Sequence, residues 1–159
     1  MKNKIILCID PGYGLTGFGV IECYGQKAAC LDYGVIKTSG KASFSQRLKE
    51  LHIDLKKIIR KYRPACLAVE KLFFFKNLKT AIDVAQASGV VVLTAIENNI
   101  PILEFTPLQV KQSICGYGKA EKQQIQKMVK MILNLQELPR PDDAADALAI
   151  ALMAMNKNR

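Results

Sequence analysis

Apolar residues in this chain fall into short unbroken runs and into longer periodic stripes, and the two patterns alternate. Lys4 to Asp10 and Cys66 to Glu70 are continuous apolar runs of strand length, the pattern of strands buried on both faces. Thr16 to Cys23 and Ala28 to Thr38 are also strand-like. Tyr24-Gly25-Gln26-Lys27 between them reads as a turn, so the first third predicts a three-stranded antiparallel meander. From Ser45 the period changes. Leu48, Leu51, Leu55, Ile58, Ile59 and Tyr62 recur at three- and four-residue steps, with Lys and Arg on the other side and Pro64 just beyond, which predicts an amphipathic helix. Asn77 to Asn98 reads as a long helix, Ile102 to Phe105 as a short strand, and Thr106-Pro107 as the start of another helix. Gly116-Tyr117-Gly118 interrupts, Glu121 to Leu135 resumes helical spacing, and a last helix starts at Asp142. Strands interleaved with amphipathic helices predict a single α/β domain over residues 1–159, with a mixed five-stranded sheet and helices on both faces.

Four carboxylates interrupt this pattern. Asp10 closes the run Ile5-Ile6-Leu7-Cys8-Ile9, Glu70 closes Cys66-Leu67-Ala68-Val69, and Asp143 and Asp146 sit in the otherwise apolar Asp-Asp-Ala-Ala-Asp-Ala-Leu-Ala-Ile-Ala-Leu segment. An ionised carboxylate leaving water costs on the order of several kcal/mol, and these segments hold too few basic residues to neutralise all four. Asp143 and Asp146, spaced i and i+3, share one helical face and can share a metal. Helix capping is the plainer account of Asp142, but it fits Asp146 poorly, about a turn inside the helix. Asp10 and Glu70 end separate buried strands, where the open edge of an α/β sheet presents ligands. Oxygen-only ligands suit Mg²⁺ or Mn²⁺, and two such ions roughly 4 Å apart suit an in-line phosphoryl displacement.

Charge narrows the substrate. The chain carries 23 Lys and Arg against 14 Asp and Glu, a formal +9, which favours a polyanionic partner such as nucleic acid. Five cysteines, with no Cys-x-x-Cys pair, read as free buried thiols of a reducing compartment. The N-terminus has too short an apolar run for a signal peptide, and Gly89 to Ile96 and Ala147 to Met155 fall short of a membrane span. The expectation is a cytoplasmic protein.

Other motifs are weaker. Gly12-Tyr13-Gly14-Leu15-Thr16-Gly17 matches the dinucleotide fingerprint, but Phe18-Gly19-Val20-Ile21 after it is a strand and not a helix, so the glycines are expected to form a tight hairpin that lets nucleic-acid backbone or metal approach. Phe73-Phe74-Phe75, followed by Lys76, offers stacking rings beside a phosphate contact, although core or dimer packing explains two of the three equally well. Lys111, Lys119 and Lys122 around Gly116-Tyr117-Gly118 form a candidate phosphate-binding set. With one histidine, His52, and no paired nucleophile motif, the sequence argues against a Ser-His or Cys-His hydrolase.

Ile9-Asp10-Pro11-Gly12 with Thr16 to Ile21, Val69-Glu70 with Phe73 and Lys76-Asn77, Val110-Lys111-Gln112, Gly116-Tyr117-Gly118 with Ala120-Glu121-Lys122, and Asp143-Ala144-Ala145-Asp146-Ala147-Leu148-Ala149 occur in this order. Together they resemble the RuvC family of Holliday junction resolvases along nearly the whole chain. The resemblance implies an RNase H-like fold with the first and fourth strands adjacent, and Asp10, Glu70, Asp143 and Asp146 as ligands of two Mg²⁺ or Mn²⁺ ions. It implies Phe73 at the opened junction and Lys111 and Lys122 as basic residues needed for cleavage; Lys76 and Lys119 stand, on the residue pattern, as further DNA contacts. It also implies a homodimer that nicks two opposed strands of a four-way junction during recombination and repair, alongside the RuvA and RuvB branch-migration proteins. A YqgF-type nuclease acting on RNA fits the Phe73 and Lys111 to Lys122 segments less well. A non-catalytic junction-binding protein is the remaining alternative, since an actin-like ATPase lobe would need a second lobe that 159 residues cannot hold.

Overall fold

The computed structural model describes residues 3–12, 14–71 and 78–157, the side chains of 78 and 79 excepted. The elements follow the predicted order: β1 Lys4–Asp10, β2 Leu15–Tyr24, β3 Lys27–Lys37, α1 Phe44–Tyr62, β4 Cys66–Glu70, α2 Leu78–Glu97, β5 Ile102–Phe105, α3 Pro107–Cys115, α4 Lys122–Ile132 and α5 Asp142–Lys157. Local chemistry marks the helix ends. The Ser43 side chain caps α1 and Arg63 closes it in the left-handed region ahead of Pro64, while Thr106 and Gln109 form a capping box on α3 with Pro107 in the first turn.

The sheet order is β3-β2-β1-β4-β5. The β1–β2 and β2–β3 pairs are antiparallel, whereas β1–β4 and β4–β5 are parallel. This is the mixed five-stranded sheet expected. Because side chains alternate across a strand, the continuous apolar runs split cleanly between two cores. Ile6, Cys8, Cys66 and Ala68 pack with α3, α4 and α5. Leu7, Ile9, Leu67 and Val69 pack with α1 and α2. Helices therefore cover both faces, and all five cysteines are free thiols, Cys8 and Cys66 buried and the others partly so.

Two glycines in β2 decide how close α5 comes. A Cβ at Gly17 would stand 2.0 Å from the backbone oxygen of Asp143, and one at Gly19 would meet Leu148 Cδ2 at 2.9 Å. Gly17 lies opposite Asp10 in the β1–β2 register, so the bare backbone of β2 seats the start of α5 beside the end of β1. The sequence pattern suggested that Gly12, Gly14 and Gly17 admit nucleic acid or metal. Gly14 takes a left-handed φ of +85°, but the close approach at Gly17 and Gly19 is made by α5. The small residues Ala144, Ala145, Ala147, Ala149, Ala151 and Ala154 let α5 itself lie buried in this seat.

Candidate active site

Asp10 and Glu70 are the last residues of β1 and β4, and these strands run parallel with Ile9 opposite Val69. Alternation places both carboxylates on the side where Cys8 and Ala68 face α5. There α5 brings Asp143 and Asp146 from its first turns. Three separate segments thus deliver four acids to one edge of the sheet.

Electrostatics reports how tightly they are gathered. Burial holds the Asp10 carboxyl well above the ordinary range, and the charges of Glu70, Asp146 and Asp143 push it further up against a smaller pull from Lys122. Glu70 is raised to about 7, by burial and then by Asp146, with Lys111 opposing. Burial also raises Asp146, against the opposing charge of Lys122. These acids are strained by desolvation and mutual repulsion.

Lysines relieve part of that strain. Lys122 Nζ lies 3.2 Å from Asp146 Oδ2 and 3.3 Å from Asp142 Oδ2. Partial burial opposes its charge, but the two aspartates outweigh burial and hold the ammonium above its usual range. Asp146 therefore has a basic partner on α4 that its own segment does not contain. Asp142 faces α4 as well. Its Oδ1 accepts from Gln126 Nε2 at 2.9 Å, and hydrogen bonds from Lys122 and Gln126 hold its carboxyl below the usual value. An open cavity of about 520 Å³ runs from the acids toward α3 and α4, lined by Glu70, Lys111, Lys119, Glu121, Lys122 and Asp146.

The donor set fits a hard divalent cation. All four groups are oxygen ligands, they outnumber the two nearby lysines, and the half-buried Asp10 feels the charge of the other three. As the side chains stand, no three of them share a single ion site among the described residues, and Asp146 is turned to Lys122. Phe73 and Lys76 lie outside the described residues.

Comparison with known proteins places this geometry. The family described as "Crossover junction endodeoxyribonuclease RuvC" matches residues 6–154. The chain belongs to the RuvC family. The crossover junction endodeoxyribonuclease RuvC of Ruminiclostridium cellulolyticum is 52% identical over 155 residues, covering 98% of this chain and 93% of its own length. That of Caldicellulosiruptor saccharolyticus is 55% identical over 148 residues, covering 92% and 89%. Thermus thermophilus RuvC, solved in complex with a Holliday junction substrate, superposes with a TM-score of 0.90 at 38% identity, over 97% of this chain and 94% of that one. The RNase H-like arrangement, with β1 beside β4, is the one this family resemblance implied.

Sequence reasoning missed Gln126 and the tertiary role of Asp142. Gln126 and Asp142 bind across α4 and α5, a tertiary contact that no local spacing announces. A signal was nonetheless present, because Lys122 opens a helix whose first turn holds no acid of its own, an unfavourable place for a cation.

Proposed function

We propose that this nuclease resolves Holliday junctions by metal-dependent nicking of two opposed strands, with Asp10, Glu70, Asp143 and Asp146 holding two Mg²⁺ or Mn²⁺ ions. The observation that carries the reading is the convergence of Glu70, Asp143 and Asp146 on the Asp10 carboxyl beside a lysine-lined cavity. Bound at this edge, two divalent ions would supply an activated water and a stabilised leaving oxygen. The chain's own groups do the rest. Lys111 and Lys122 flank the acids and neutralise charge that develops on the phosphate, Lys119 extends the cationic rim along the cavity, and Glu70, with a carboxyl at about 7, exchanges its proton for a cation near neutrality.

Symmetric nicking requires two sites, and α2 supplies a surface for pairing. Its inner side buries Ala87, Val91 and Ala95, while Ile82, Leu93 and Ile96 stand 69%, 55% and 60% exposed on the outer side. Exposed Gly89 lies on the same stripe, and a Cβ there meets nothing within 4 Å. An apolar stripe of this kind suits a homodimer contact. The expectation of only short apolar stretches needs correction here: Thr80–Glu97 is long and apolar enough, by length and composition, to cross a membrane, and 22% of it is buried. We read it as the subunit contact of a cytoplasmic enzyme working with RuvA and RuvB in recombination and repair.

One gel tests the reading. A synthetic mobile four-way junction, a matching linear duplex and an RNA–DNA hybrid are each incubated with and without Mg²⁺. Paired, ligatable nicks in the junction alone, and only with Mg²⁺, are expected. Equal cutting of the duplex would indicate a general nuclease, preferred cutting of the hybrid an RNA-directed one, and junction retention without cutting a binding protein.

A further inference from the structure

Lys122 is held in a place that its own helix disfavours. It is the first residue of α4, where aligned peptide dipoles leave partial positive charge, and apart from the cap Glu121 no acid of α4 lies in that turn. The groups that hold its ammonium belong to α5. Asp142 Oδ2 is 3.3 Å and Asp146 Oδ2 3.2 Å from Nζ. The two acids share one lysine but differ in their other contacts. Asp146 sits among the buried acids of the sheet edge, with 33% of its side chain exposed. Asp142 is 60% exposed, and its second oxygen accepts from Gln126, one helical turn beyond Lys122 on α4. Both Asp142 oxygens are thereby engaged by α4.

The geometry points to Asp142 as a positioning residue for Lys122. When a divalent cation takes the Asp146 carboxylate, the ammonium must leave that oxygen, and Asp142 keeps it at the cavity wall, facing the substrate phosphate. Asp146 exchanges a lysine for a metal while Lys122 keeps one anionic partner. Without Asp142, the ammonium would rest on Asp146 alone, and an entering cation would have to displace an undivided ion pair. The inference rests on the reading of Asp146 as a metal ligand.

The test is Mn²⁺ affinity of the full chain without DNA, read from the electron paramagnetic resonance of free Mn²⁺. Asp142→Asn is expected to weaken binding about two- to fivefold, the scale of one partly exposed ion pair, and Asp142→Glu to restore it. In a Lys122→Met background, Asp142→Asn should change nothing further, because no ammonium remains to be held. Equal weakening in both backgrounds would make Asp142 a direct ligand or a general source of field and overturn the inference, as would no weakening in either. Asp146→Asn tests the underlying reading separately. Loss of Mn²⁺ binding there is expected, and unchanged binding would remove the ligand assignment and the inference together.

Discussion

On the face of the sheet that carries α3, α4 and α5, the even positions of β1 and β4 run out into Asp10 and Glu70, and α5 is pressed onto bare glycine backbone. On the face that carries α1 and α2, the odd positions bury Leu7, Ile9, Leu67 and Val69, and His52 links the two helices through Nδ1, 2.9 Å from the buried Thr94 hydroxyl, and Nε2, 3.8 Å from Glu97 Oε2. That hydroxyl donates to the Val90 carbonyl, so the imidazole nitrogen is its donor. The first face concentrates charge that folding alone would avoid. The second leaves apolar side chains of α2 uncovered that folding alone would bury. On the reading proposed above, each departure from the ordinary rule would be completed from outside the chain, by a cation and phosphate on one face and by a second subunit on the other.

The largest effect should come from removing a carboxylate on the charged face. Asp10→Asn or Asp146→Asn is expected to slow junction cleavage by roughly 10²–10³-fold or more, the scale seen when a pre-organised electrostatic group is lost, while retaining junction binding through the lysines. Gel-shift and cleavage assays on the same junction check this. Concurrent loss of binding would mean that these acids support the fold and not the chemistry.

Next in size is the seat of α5. In Gly17→Ala the new Cβ would stand 2.0 Å from the Asp143 carbonyl oxygen, and backbone offers no flexible end to give way. A loss of about 1–3 kcal/mol is expected from overpacking, together with lower activity, because the helix that carries Asp143 and Asp146 must move. Urea unfolding and cleavage assays measure the two effects. Full activity in a destabilised variant would separate the seat from the site.

This seat also shows where sequence legibility ends. The strands were readable because burial on both faces writes a continuous apolar run, and Asp10 and Glu70 were readable because each breaks such a run at its end. Their orientation toward α5 depends on register between strands, which no single run contains. Gly17 looked like part of a hairpin open to a ligand, and Gly19 like an ordinary strand residue, because local spacing cannot name a partner more than a hundred residues away. Asp142 looked like a cap for the same reason, since its bonds to Lys122 and Gln126 are tertiary. On the other face, the helical period of α2 was legible, whereas the exposure of Ile82, Leu93 and Ile96 depends on there being no further layer outside it.

A comparable effect, confined to stability and to one pH window, follows from Glu70. Its carboxyl is raised from an ordinary 4.5 to about 7, so between those values the folded, metal-free protein holds a proton that the unfolded chain has released. Stability of the metal-free protein should therefore fall as pH rises through this window, by ~1–3 kcal/mol from this group. Glu70→Gln should flatten the slope. Thermal unfolding in EDTA at about pH 5 and about pH 8 measures it, and added Mg²⁺ at the higher pH should raise the melting temperature of the parent more than that of the variant. Identical slopes for the two proteins would contradict the assignment of burial and Asp146 as the causes.

The smallest expected change gives the sharpest contrast between the faces, because it uses the same substitution as at Gly17. At Gly89, on the outer stripe of α2, a Cβ meets no atom within 4 Å of the chain itself. Helix propensity alone then predicts that Gly89→Ala stabilises the isolated fold by about 0.5–1 kcal/mol. If Ile82, Leu93 and Ile96 form the subunit contact, the same methyl group enters a packed interface and weakens association. Unfolding should therefore shift up in a dimer-breaking Leu93→Glu background, while sedimentation of Gly89→Ala alone shows a raised dimer dissociation constant. Stabilisation with unchanged association would place the contact elsewhere and leave the α2 stripe without a partner.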